Sequence, residues 1–268
     1  MGYLLKSITA LTILAATTTA ATAHDTWVQT NTNIVRTGDT VHVDLMLGNH
    51  GNDHRDFKLA GKTTLDGVTL DTLRPDGSKE DLRRSLADLG YTDKDGYWSA
   101  PFAATKPGLY MIAHTSDKVV TYAPKRSVKS GKAYFIASDS LDKVPLDQPG
   151  FDRVMGHALE LVPLKNPVMP MGPGIVLPVQ LLYKGKPVPG ARVSFIPRGA
   201  KLSESFDERY ERTTDEQGIA KFEFKEGNYY LIAAHHEDAA DKGEGYDATK
   251  YSATLSVLVP GLCPCCAE

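Results

Sequence analysis

Apolar and polar positions alternate along residues 40–47: Val41, Val43, Leu45 and Leu47 share one face, while His42 and Asp44 take the other. A period of two belongs to a strand with one face on a core. The run predicts one wall of a β-sandwich, with His42 on its solvent side. Turn signals then recur at short intervals, among them Arg36-Thr37-Gly38-Asp39, Arg74-Pro75-Asp76-Gly77, Lys106-Pro107-Gly108, Lys184-Gly185-Lys186-Pro187 and Asp215-Glu216-Gln217-Gly218. With β-branched and aromatic residues between them, that spacing predicts antiparallel sandwiches nearly throughout. One stretch breaks the pattern: over 78–89, Leu82, Leu86 and Leu89 recur at helical-turn spacing and predict a short helical insertion.

The chain echoes itself. Pro107-Gly108-Leu109-Tyr110-Met111-Ile112-Ala113-His114 resembles Glu226-Gly227-Asn228-Tyr229-Tyr230-Leu231-Ile232-Ala233-Ala234-His235, each a turn glycine feeding a strand that ends in histidine. Alternation puts Tyr110, Ile112 and His114 on one face of the first strand, and Tyr229, Leu231, Ala233 and His235 on one face of the second. Two similar halves follow: an N-terminal sandwich over 24–138, a proline-rich linker over 139–174, a C-terminal sandwich over 175–260 and a cysteine-rich tail over 261–268.

Ahead of them, Lys6 precedes an apolar run over 8–16, and Ala21 and Ala23 occupy the small-residue positions that a signal peptidase reads. The expected signal peptide is 1–23, and its removal makes His24 the first residue of a soluble protein in the periplasm or outside the cell. The free α-amine and imidazole Nδ1 of a terminal histidine can close a ring around one divalent ion, and nickel and copper favour such nitrogen donors. A first-residue histidine also arises by chance in exported chains.

Composition narrows the options. The 268 residues carry a formal net charge of −3 and no basic stripe, which argues against nucleic acid as a partner. No second apolar run is long enough to span a membrane. All three cysteines (Cys263, Cys265 and Cys266) crowd the tail, so neither sandwich depends on disulfides. Such a cluster fits a soft metal, pairing between chains, or a loose tail. No nucleophile elbow, His-Glu-x-x-His motif or phosphate loop is present, which favours binding over catalysis.

The run Gly48-Asn49-His50-Gly51-Asn52-Asp53-His54 sets two histidines in a loop at a sandwich end, where ligands gather. His50, His54 and His114 are therefore the candidates to complete a nitrogen-rich metal site around His24. Asp25 is placed to accept a hydrogen bond from a ligating imidazole. The same residues have plainer readings: His50 and His54 as polar loop side chains, and His114 as a strand terminus. His235 and His236 are neighbours on a strand and face opposite sides, so at most one serves a given site. Met169-Pro170-Met171 fits either a cuprous ion or an ordinary proline-rich linker.

Three segments carry a resemblance: the Ala23-His24-Asp25-Thr26-Trp27 start, Glu160-Leu161-Val162-Pro163-Leu164-Lys165-Asn166-Pro167, and Tyr183-Lys184-Gly185-Lys186-Pro187-Val188-Pro189-Gly190-Ala191-Arg192-Val193 followed by Thr214-Asp215-Glu216-Gln217-Gly218. Together they resemble the DUF4198 family of periplasmic proteins, which includes accessory components of nickel and cobalt uptake systems. The second half is also similar to transthyretin-like or carboxypeptidase-regulatory sandwiches. The fold expected is all-β, with two tandem Ig-like or transthyretin-like antiparallel sandwiches. The resemblance implies a non-enzymatic protein that binds nickel, with cobalt or copper as alternatives, and hands it to a membrane uptake transporter. Such binding needs neutral amine and imidazole, so affinity should fall as pH drops through about 7. Two other readings remain open: an N-terminal-histidine copper oxidase, and a metal-independent binding or adhesion module.

Overall fold

The alternation over 40–47 becomes a long strand in which Val41, Val43 and Leu45 are fully buried and His42 is exposed. The computed structural model describes residues 24–51, 54–92, 95–120 and 123–261, with backbone alone for 49–51 and 54–60. The first half contributes β1 (Asp25–Thr30), β2 (Ile34–Arg36), β3 (Thr40–Gly51), β4 (His54–Gly61), β5 (Val68–Leu73), β6 (Lys79–Asp81), β7 (Ala87–Asp88), β8 (Trp98–Ala103), β9 (Gly108–Val119) and β10 (Lys125–Ser138). The second contributes β11 (Leu159–Pro163), β12 (Val176–Tyr183), β13 (Lys186–Pro187), β14 (Arg192–Pro197), β15 (Glu211–Thr213), β16 (Ile219–Glu223), β17 (Asn228–Asp238) and β18 (Ala248–Val259). Among the described residues no helix is long and apolar enough to cross a membrane.

These strands form three sheets, and the central one joins the halves. Its nine strands run β15-β14-β17-β18-β10-β9-β5-β6, with β2 added beside β10. The join is a parallel pairing of Lys125–Lys132 in β10 with Ala248–Leu255 in β18, flanked by the antiparallel neighbours β9 and β17. Strands β9 and β17 are the two echoed segments, so the repeat seen in the sequence brackets the join symmetrically.

Alternate residues of the central strands serve different cores. Tyr110 and Ile112 of β9 and Ala133 and Phe135 of β10 pack with Val41, Val43, Leu45 and Phe102 of the five-stranded sheet. Their neighbours Leu109, Met111, Tyr134 and Ile136 pack with Leu177, Val179, Phe195 and Phe222 in the second half. A stacked aromatic pair lies in each core, Tyr110 on Phe135 at 4.7 Å and Phe195 on Phe222 at 4.6 Å between centroids. Successive side chains of a strand point to opposite faces, so the central sheet is covered on both sides. The two sandwiches thus share a sheet instead of hanging from a tether.

Two local expectations are corrected. Over 78–89 the chain forms β6, one 3-10 turn at Arg83–Ser85 and β7, not a longer helix. The Leu82 amide bonds to the Leu70 carbonyl across β5, and the Asp81 carboxylate accepts the Arg83 amide, so tertiary pairing overrides the leucine spacing. Leu82 is buried while Leu89 stays exposed.

The segment expected as a linker contains β11, every residue of which is buried. It is fastened by a buried ion pair, Lys132 Nζ to Glu160 Oε1 at 2.5 Å, with the two side chains 2% and 1% exposed. Glu160 also accepts the amides of Met155, Gly156 and His157 at 2.6, 2.9 and 3.0 Å. Charges taken from water need this degree of matching. Glu160→Ala should lower the unfolding free energy by about 3–5 kcal/mol, because it strands a buried ammonium and three amides. Lys132→Met should cost less, since the amides still hold the carboxylate; urea unfolding of both variants checks the order.

Candidate functional site at the head of the first strand

All six residues of β1 are buried although the strand lies at the margin of its sheet. One side is hydrogen-bonded to β3, with Asp25 opposite Gly48. Val28 enters the first core, while Trp27 packs on Met46 and Leu231. Successive positions along the strand also meet the second half. Gln29 accepts hydrogen bonds from Trp27 Nε1 at 3.3 Å and from the Arg198 guanidinium at 3.1 Å. The Tyr229 hydroxyl donates to the Thr30 carbonyl at 3.3 Å. At the head of the strand, His235 Nε2 lies 2.9 and 3.0 Å from the two Asp25 oxygens.

Below the strand the fit is close. The Thr254 hydroxyl lies 3.0 Å from the Thr26 carbonyl, and a Cβ on Gly131 would come within 2.9 Å of that hydroxyl and 3.6 Å of Trp27 Cα. A glycine in β10 therefore lets β1 lie against the β10–β18 join.

His24 itself is exposed, and the Lys129 ammonium donates to its carbonyl oxygen. Asp25, directly after it, is 1% exposed, while the His235 side chain is 49% exposed. A buried carboxylate, next in sequence to His24, thus holds one imidazole at the surface. Burial pulls the Lys129 ammonium below its ordinary pKa, and the Asp25 charge opposes that shift.

The other predicted ligands are placed differently. His114 is fully buried in mid-strand, because β9 runs on to Val119 instead of ending there. Its Nδ1 lies 3.0 Å from the Thr69 carbonyl and its Nε2 2.8 Å from Thr26 Oγ1. A carbonyl only accepts, so Nδ1 carries the proton and Nε2 accepts from the Thr26 hydroxyl. With both ring nitrogens engaged, His114 props β1 from beneath, and as seen here it has no lone pair to offer an ion. His50 in β3 and His54 in β4 lie at the end of the sheet that carries the head of β1, since Gly48 pairs with Asp25 and Gly51 with His54. Their side chains, like Cys263, Cys265 and Cys266, lie outside the described residues.

His235 is the residue that the sequence reading did not assign. The signal was present in the shared face of Tyr229, Leu231, Ala233 and His235, which meets β1. As the opposite-face argument requires, His236 turns away and packs on Tyr183 with ring centroids 4.3 Å apart. Among the described residues no group of three or more His, Cys, Asp or Glu side chains converges as an ion-binding cluster.

His114 makes folding pH-dependent. Burial lowers its pKa from 6.5 to about 4. The unfolded chain then binds the proton more readily, so the stabilisation is complete above pH 6.5 and is lost as pH falls towards 4, by about 3 kcal/mol in all. His157, lowered by its own burial, acts in the same direction. Urea unfolding across this window should show the decline, and His114→Gln should reduce its slope by about half.

No curated protein matches the chain. Among solved structures, a DUF4785 family protein from Legionella pneumophila is similar at 13% identity over 77% of this chain and 50% of that one, with a TM-score of 0.29, so the chain spans about half its length. The D0–D1 domain of intimin is similar at 13% identity over 87% and 97% of the two chains, with a TM-score of 0.23. The mouse nectin-like molecule 4 ectodomain gives 9% identity over 89% and 65%, with a TM-score of 0.22. The model of a family described as a domain of unknown function matches residues 21–238, which include His24, Asp25 and His235, and the chain belongs to that family, DUF4198.

Proposed function

We propose that this chain is an exported protein that binds a transition-metal ion, nickel foremost with cobalt or copper as alternatives, and passes it to a membrane uptake transporter. The observation that carries the reading is the Asp25–His235 pair beside an exposed His24. Cleavage after Ala23 turns the His24 amide nitrogen into an amine and gives the residue two donors. His235 supplies a further imidazole, kept at the surface by a buried carboxylate, the arrangement that orients metal-binding histidines elsewhere. The backbone brings His50 and His54 to the same end of the sheet. The ion is cargo, and capture and release need no chemistry on the protein.

Native mass spectrometry of the exported protein in nickel, followed by cobalt and copper, tests this. The expected result is a mature mass beginning at His24 with one nickel bound, lost in His24→Ala and weakened about 10–100-fold in Asp25→Asn, in line with the loss of a ligand-orienting partner. A terminus elsewhere, or nickel binding indifferent to His24→Ala, overturns the His24 site, and failure to bind any of the three metals overturns the reading in favour of a metal-independent binding module.

A further inference from the structure

On the face of β17 opposite His235, two tyrosines and two aspartates surround a lysine. His236 turns to this side, paired with Tyr251 in the β17–β18 register, and its ring lies 4.3 Å from that of Tyr183. Tyr183 meets Tyr251 edge-on, with centroids 5.1 Å apart. The Tyr183 hydroxyl donates to Asp238 Oδ2 at 2.7 Å, and the Tyr251 hydroxyl donates to the Asp241 carboxylate. Asp238 Oδ1 also accepts the amides of Ala240 and Asp241 at 2.9 and 3.3 Å, so the loop after β17 fixes its acids against the rings. Aromatic faces and carboxylates held in this way make a seat for a cation.

Lys184 takes that seat loosely. Its Nζ lies 4.8 Å from the centroid of Tyr183 and 5.8 Å from that of Tyr251, within reach of both rings. It stands 3.6 and 3.8 Å from the Oδ2 atoms of Asp238 and Asp241, whereas a charge-assisted hydrogen bond closes to about 2.8 Å. The lysine side chain is 53% exposed, and those of the two acids 23% and 20%. The ammonium is thus a plug over a better-covered pair of carboxylates. Its backbone is costly as well. Lys184 and Gly185 form the two-residue turn between β12 and β13, with φ of +49° and +76°. Such turns favour asparagine, aspartate or glycine at the first position, so the lysine is held there against the preference of its backbone. Negative charge also continues past the seat, since residues 238–247 set Asp238, Asp241, Glu244 and Asp247 against Lys242 alone.

We propose that this cage binds a polyamine, and that the Lys184 ammonium is the intramolecular stand-in that the ligand displaces. An alkylammonium brings methylene groups that cover the ring faces, which a hydrated inorganic ion cannot do. The further ammonium groups of a polyamine meet the remaining carboxylates of the loop, which a single lysine leaves unmatched. The site lies across β17 from His235, so it is separate from the nitrogen donors at His24.

The test is isothermal titration calorimetry of the full-length protein with spermidine at low salt. Lys184→Asn, which suits the turn and removes the plug, should bind one spermidine about tenfold more tightly than the wild type. In that background Asp238→Asn with Asp241→Asn should abolish binding, and Tyr183→Leu should weaken it about tenfold, with circular dichroism unchanged. His24→Ala should leave it intact. Equal affinity of Lys184→Asn and the wild type, or displacement of spermidine by equimolar magnesium, overturns the cage. A preference for Nα-acetyl-lysine amide over spermidine overturns the polyamine in favour of a lysine side chain on a protein partner.

Discussion

The parallel pairing of β10 with β18 is the constraint from which the architecture follows. A parallel join in the middle of a sheet that is antiparallel apart from the short β2–β10 pairing cannot be made by a hairpin, so strands distant in sequence must meet there. Once they do, β9 and β10 are committed to two cores at once, Tyr110 and Phe135 on one side, Met111 and Tyr134 on the other. The Lys132–Glu160 pair belongs to the same join. It ties β10 to the segment that crosses to the second half, and its three backbone amides order that crossing.

The first strand reads this join from above. Thr26 is engaged through its hydroxyl by His114 of β9 and through its carbonyl by Thr254 of β18, so one residue touches both halves. Asp25, a buried charge at the end of that strand, is matched by the His235 imidazole and lies in the field of Lys129. The surface position of His24 is thus set by what lies beneath its neighbour. Motif residues that could pass for ligands divide accordingly: Asp25 and Trp27 are anchors, and the exposed donors flank them.

What was legible in the sequence was whatever local patterning decides. The β3 alternation sets Val41, Val43 and Leu45 on a core and His42 in water, so these fell where expected, and glycine-bearing turns separated the strands. Strands covered on both faces, such as β10, carry no such alternation, so the shared sheet could not be read from them. The leucines of 78–89 show the reverse error, a helical spacing satisfied by a strand and a single turn because Leu70 claims the Leu82 amide. Within the site, Asp25 accepts from an imidazole as its chemistry suggested, but from His235, which is 210 positions away. No spacing rule spans that distance, and for His114 alternation told which face the residue takes but not that both its ring nitrogens are engaged by Thr69 and Thr26.

The contact of Thr254 with Thr26 also governs the order of assembly. β1 comes first in the described chain and β18 comes last, yet neither is fully covered without the other. A polypeptide emerging from its N-terminus has most of its strands in hand while the central sheet still lacks its seam. Long-range closure of this kind is slow compared with hairpin formation. Closure of the central sheet therefore waits until the chain is nearly complete, and the first strand finds its full cover only at the end.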